Sequence, residues 1–209
     1  MKKLESTLPN MAIVLTVISV LAGGILAYVN SMTAGPIAEI KAQQLSDGIK
    51  AVLNADQVTV EEPKTLESGE IIYATDKGTA VQATTNGFGG ALKVLVGFDA
   101  EGNISGYQIL EHSETPGLGA KAGDWFQATG KGNIIGMNPG QGELTVSKDG
   151  GQVDAITAST ITSRAFLKAV NNAYAAFKGE AVDGASGATA QAPKAEEETA
   201  PADTTVVNE

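Results

Sequence analysis

Cysteine is absent from the 209 residues. That excludes disulfides, thiolate nucleophiles, iron–sulfur ligation and thiol zinc sites together. A single histidine leaves little for a histidine-based metal site. Positive charge is scarce: 14 Lys and Arg face 24 Asp and Glu, for a formal net charge of −10. Nucleic acid needs a basic surface, so it is not an expected partner. The imbalance is uneven, because residues 180–209 hold seven acids and one lysine, or −6 of the −10. Beyond Gly179 aromatics and apolar periodicity are missing too, and Ala, Glu, Thr and Pro dominate. A segment of that composition cannot offset the entropy of ordering, so a disordered acidic tail is expected over 179–209.

Charge is also missing from residues 11–29, a 19-residue apolar run near the N-terminus. At about 1.5 Å per residue such a run crosses a hydrocarbon core of about 30 Å. A cleaved signal peptide is the competing reading, with Ala22-Gly-Gly imitating its cleavage site. The apolar run continues past that point, which favours an uncleaved anchor in membrane lipid. Lys2 and Lys3 precede the span, and no Lys or Arg follows until Lys41. The positive-inside rule therefore predicts residues 1–10 in the cytoplasm and the bulk of the chain outside it. A small-residue face at Ala22, Gly23, Gly24 and Ala27 suits packing on other membrane helices.

After the span, Ile37, Ile40, Leu45, Ile49, Val52 and Leu53 recur at helical spacing. With Pro36 at a first-turn position they predict a separate juxtamembrane helix from Pro36 to about Asn54, followed by an irregular linker over 57–68. Residues 30–74 are thus read as juxtamembrane. The period then shortens. Residues 71–75, 80–84, 92–98 and 104–110 read as strands between Gly, Asn and Asp turns, with a fifth near Leu144-Thr-Val146. Asp124-Trp-Phe-Gln-Ala suggests a short helix. Residues 165–177 form an amphipathic helix, with Phe166, Val170, Tyr174 and Phe177 on one stripe covering a sheet face. The class is α+β: one transmembrane helix, then an extracytoplasmic domain with a mostly antiparallel sheet packed by helices.

Two stretches carry chemistry. The first is Asp154-Ala-Ile-Thr-Ala-Ser-Thr160-Ile-Thr162-Ser-Arg. Thr157, Ser159, Thr160 and Thr162 crowd together where a helix begins, with Ser163 beside them and Asp154 upstream. Unpaired amides and the dipole at a helix start favour a phosphate. A plain N-cap is the simpler alternative, but a cap needs one hydroxyl and four lie within six residues. A second copy, Asp183-Gly-Ala-Ser186-Gly-Ala-Thr189, has no helical segment after it. Thr189 therefore ranks well below Thr160, as a minor site. The second stretch is the loop Glu111-His-Ser-Glu-Thr-Pro-Gly-Leu-Gly119. Its glycines, Gly117 and Gly119, let backbone approach a flat ligand. Leu118 offers a packing surface, Thr115 a polar contact, and Glu114 lies in the same turn. An ordinary Gly/Pro loop is the alternative. His112 is read as a contact at most, and Trp125 as a core residue rather than a stacking partner.

Both stretches resemble hallmarks of the FMN-binding domain family. The first is similar to its attachment motif, Asp-x-x-Ser/Thr-Gly-Ala-Thr-x-Ser/Thr, with Ala158 and Ser159 replacing the usual glycine and alanine. The second is similar to its Glu-x-x-Glu-Thr-Pro-Gly-Leu-Gly loop, and residues 87–98 resemble its first core strand. The resemblance spans about residues 75–178. It implies FMN held through a phosphoester to Thr160, with the 114–119 loop against the isoalloxazine. It also implies maturation by a flavin transferase that uses FAD and a divalent metal. With one N-terminal span added, the architecture is similar to the G subunits of Rnf electron-transport complexes, which couple ferredoxin:NAD electron transfer to sodium or proton translocation. The resemblance then implies the other membrane and peripheral Rnf subunits as partners, and an electron-transfer role with no complete reaction by the chain alone. The C subunits of sodium-pumping NADH:quinone oxidoreductases share domain and topology but usually carry a larger outer region. A free-standing extracytoplasmic flavoprotein and a non-redox anchored binding module are the remaining readings.

Overall fold

The computed structural model describes residues 8–180 and residue 182. Lys2, Lys3, Thr189 and nearly all of the expected tail lie outside that range. The first element, α1 (Leu8–Val52), is one continuous helix of 45 residues. The separate juxtamembrane helix expected from Pro36 is instead its second half. Pro36 forfeits one amide donor. A break would leave about four C=O groups unpaired on its N-terminal side and about four N–H groups on its C-terminal side. Because the apolar pattern persists across Pro36, the helix continues. Its N-terminal part is exposed and apolar, and it is long enough to cross a membrane.

The other end of α1 docks on the domain. Gly48, Ile49 and Val52 are buried, and Asn54 at φ 51° ends the helix, close to where the spacing predicted. The Val52 carbonyl accepts from Ser105 Oγ at 2.6 Å. Beneath it the cross-strand pair Gly97 and Gly106 has no room for a Cβ against the Val52 backbone. The helix end therefore sits directly on the sheet.

That sheet is an antiparallel meander of β1 (Lys64–Thr65), β2 (Ile71–Thr75), β3 (Gly78–Asn86), β4 (Ala91–Phe98) and β5 (Ile104–Glu111), ordered as in sequence. Four of the strands are those the alternation predicted. The fifth lies inside the expected linker, and residues 144–146 supply only an isolated bridge from Val146 to Val153. The two exposed residues of β1 carry no apolar alternation to read. Leu144 is apolar for another reason: it packs in the core, with its N–H and C=O both bonded to the Asn171 side chain.

Alternation along β3 and β4 divides the core into two layers. Tyr73, Ala80 and Leu95 meet Ile49 and Val52 of α1. Val81, Ala83, Val94, Val96 and Phe98 face the opposite way, onto α3 (Thr160–Lys178). There Phe166 stacks on Phe126 with ring centroids 4.4 Å apart and meets the edge of Tyr107. Phe177 stacks on Phe98. The short helix expected near Asp124 is present as α2 (Ala122–Trp125). In the core, Thr85 Oγ1 donates to the Ala165 carbonyl at 2.9 Å, which fixes the head of α3 over the far end of β3.

Candidate functional site: the head of the second long helix

A meander returns alternate connections to the same end of its sheet. The β3–β4 turn at residues 87–90 and the exit of β5 at Glu111 therefore lie together, and the Thr85–Ala165 bond brings the start of α3 to them. Three segments far apart in sequence converge there. Glu114 is their junction. It is only 6% exposed. Its Oε2 accepts from Thr162 Oγ1 at 2.6 Å, and its Oε1 accepts from the Gly89 amide at 3.2 Å. Gly87, Gly89 and Gly119 close around this residue so tightly that a Cβ at any of them would collide with it or with Ser113. The open side of Gly119 is thus filled by Glu114 and Thr162, and the residue is buried. Gly117, at φ 78°, faces open space.

The hydroxyls at 159–163 divide by function. Thr162 gives its hydrogen to Glu114, so in its 3.1 Å contact with Ser159 the donor is Ser159. Ser163 is buried, donates to the Ser159 carbonyl at 3.0 Å and accepts from the Ile156 amide at 2.9 Å. These bonds brace the turn that enters α3, where Ala158 takes the left-handed φ of 61°. A residue with a side chain resists that conformation, which gives the glycine usual at this motif position a physical reason. Ser159 occupies the N-cap position, yet no side chain caps the helix. The simple capping role is therefore not what these hydroxyls perform. Thr160 is the first helical residue, partly exposed, with its Oγ1 accepting from Lys148 Nζ at 3.2 Å.

The remaining sequence candidates frame this arrangement. Asp154 accepts from Ser147 Oγ at 3.2 Å, and its carbonyl accepts from Trp125 Nε1 at 2.7 Å. Trp125 is half-buried against the core and steadies the run that leads into α3, so stacking on a ligand is not needed to explain it. Thr157 is exposed. The Thr115 carbonyl closes its turn by accepting from Leu118 N and Ala120 N. His112 Nδ1 accepts from the Glu114 amide, which makes the histidine a brace for the loop.

Three contributors escaped sequence reasoning. Lys148 sits on a single 3-10 turn, Ser147–Asp149. Arg164, the only arginine in the chain, grips Asp149 through two bonds of 2.7 Å. Those bonds hold the Asp149 carboxyl below the usual carboxylate range and push the Arg164 guanidinium above its own. Phe88 is the third. Among the described residues after α1, the exposed large apolar side chains are Val60, Phe88, Leu118 and Ile161. The last three come one from each converging segment. No motif spacing links 88, 118 and 148 to 160: the sheet topology brings the first two segments to the head of α3, and the Ser147–Asp154 and Asp149–Arg164 bonds bring the turn of Lys148 there.

The arrangement fits a flavin mononucleotide. An uncapped helix start with a cation at its first hydroxyl suits a phosphate. Exposed apolar side chains beside an open glycine turn suit a flat ring.

Comparison with known proteins agrees. The FMN-binding domain family matches residues 87–175, a range that contains all three segments. The chain is 33% identical over 187 residues to the G subunit of the ion-translocating oxidoreductase complex of Yersinia pestis, covering 80% of this chain and 88% of that one. It is 32% identical over 181 residues to the G subunit of the same complex in Cereibacter sphaeroides, covering 79% and 82%. With the G subunit of the Na(+)-translocating ferredoxin:NAD(+) oxidoreductase complex of Acetobacterium woodii it shares 34% over 187 residues, covering 78% and 87%. The chain belongs to this family of complex G subunits, built on the FMN-binding domain.

Proposed function

We propose that this chain is the membrane-anchored subunit that carries a covalent FMN, phosphoester-linked to Thr160, and relays electrons within an ion-translocating ferredoxin:NAD oxidoreductase complex. One observation carries the reading. Of the hydroxyls at 159, 160, 162 and 163, three donate within the fold, whereas Thr160 stands at an uncapped helix start and accepts only from Lys148. The relatives named as G subunits favour this complex over a sodium-pumping NADH:quinone oxidoreductase or a free-standing flavoprotein.

When bound, FMN supplies the electron-accepting and electron-donating chemistry, while the protein supplies position and charge. Thr160 holds the phosphate end, and Lys148 and the α3 amides offset its charge. Leu118, Phe88 and Ile161 offer the apolar surface on which the ring rests, with Thr115 and the backbone at Gly117 at its edge. The Glu114–Thr162 bond ties that surface to the attachment turn. An acidic chain has little general attraction for an anionic cofactor, which makes a covalent tether effective outside the cell. The apolar half of α1 anchors the chain in lipid, with Lys2 and Lys3 inside and the domain outside. The other Rnf subunits are its electron-transfer partners, and a flavin transferase using FAD and a divalent metal installs the cofactor.

The test is Thr160→Val expressed with the transferase. Flavin fluorescence on a denaturing gel should disappear, with wild-type thermal stability retained. Full labelling of that variant would move the attachment elsewhere, first to Thr189.

A further inference from the structure

The turn that carries Lys148 is tethered on both sides of it. Ser147 Oγ donates to Asp154 at one end, and Asp149 receives both bonds from Arg164 at the other. Asp154 lies in the segment before α3, and Arg164 lies at the start of its second turn. The lysine is thus held by residues on either side of Thr160 in the chain. Its ammonium forms no ion pair among the described residues. The nearest carboxylate in sequence, Asp149, is occupied on both oxygens by Arg164. The position is also electrostatically adverse, since a cation beside a helix N-terminus opposes the macrodipole. A tethered cation with no close ion pair among the described residues, bonded to one hydroxyl beside a helix N-terminus, is explained if an anion joins them.

We infer that Lys148 is the positioning residue for flavin attachment, orienting the Thr160 hydroxyl and neutralising the phosphate as it is transferred. This rests on Thr160 being the attachment site. In the step, Thr160 Oγ bonds to the riboflavin-bearing phosphorus of FAD, and the bond from that phosphorus to the AMP half breaks. AMP leaves, and the threonine proton passes to the transferase or to water. Lys148 loses no proton. Its N–H occupies one lone pair of Thr160 Oγ and leaves the other for the incoming phosphorus. It then remains beside the single negative charge of the diester. A preorganised charged donor of this kind accelerates transfer more than it strengthens binding.

The experiment uses the full-length chain with purified flavin transferase, FAD and magnesium, and follows covalent fluorescence with time. Lys148→Met should label about tenfold or more slowly, through a lower kcat with an unchanged KM for the chain. Lys148→Arg should recover most of the rate. Thermal unfolding of both should match wild type, because the side chain is exposed. Wild-type kcat in Lys148→Met, or a change confined to KM, would overturn the inference, the second by making Lys148 a transferase-docking residue. Failure of the attachment reading is distinct: wild type would then be unlabelled, or mapped to a residue other than Thr160.

Discussion

The hydroxyl-rich turn at the head of α3 and the glycine loop after β5 meet at one carboxylate but are held in different ways. The turn is cross-braced by Ser159, Thr162 and Ser163, by the Trp125 indole and by the Asp149–Arg164 pair. The loop depends on Glu114, with His112 and the Thr115 carbonyl closing its own turns. The proposed phosphoester would need one oxygen in a fixed place, and several independent hydrogen bonds suit that. A ring contact needs close approach and some give, which an open turn at Gly117 provides. Two threonines two residues apart show the division of labour. Thr162 is buried and bonded to Glu114, whereas Thr160 is partly exposed and meets Lys148.

Cutting the shared carboxylate should have the largest effect. Glu114→Ala removes the acceptor for Thr162 and Gly89 and leaves a void among three glycines. About 2–4 kcal/mol of stability should be lost, measured by chemical denaturation. Thr162→Val should cost about 1–2 kcal/mol, and the two changes together should cost less than their sum, since they delete one interaction. Strict additivity would mean that turn and loop are not coupled through this bond.

A smaller change of opposite sign is expected within the turn itself. Ala158→Gly relieves the left-handed backbone at φ 61° and should stabilise the domain by about 0.5–1 kcal/mol, visible as a raised Tm. An unchanged or lowered Tm would mean that the turn tolerates alanine without strain.

The smallest effect concerns acid. Asp149 is depressed in the folded state by the hydrogen bonds and charge of Arg164. Its contribution is therefore complete above the unfolded carboxylate value of about 3.9 and is lost as pH falls through the lower folded value. At neutral and mildly acidic pH the clasp on the lysine turn stays closed. Arg164→Met should flatten this part of the acid limb of the stability curve, by under about 1 kcal/mol for so exposed a pair. A limb identical to wild type would mean that the pair contributes nothing.

Much of the fold was legible because it repeats locally. Alternation marked β2 to β5, and the stripe Phe166, Val170, Tyr174 and Phe177 marked α3 and the face it buries. β1 escaped because two exposed residues carry no pattern. The continuity of α1 through Pro36 escaped because a proline at a first turn and a proline inside a helix read alike from sequence. In the site, Thr160 and the 114–119 loop were legible as clustered hydroxyls and glycines. Their connection was not, since Glu114 and Thr162 are 48 positions apart.

By itself the sequence determined the apolar span, the alternating strands, the hydroxyl-rich helix start and the acidic, cysteine-free composition. Each follows from residue spacing or residue count, and so from interactions within a few neighbours. Only the tertiary structure decided which hydroxyls are buried, that the glycines enclose a carboxylate, and that Lys148 reaches Thr160. Those depend on which ends of the sheet coincide and on a helix packed across it, and such long-range placement leaves no period in the chain.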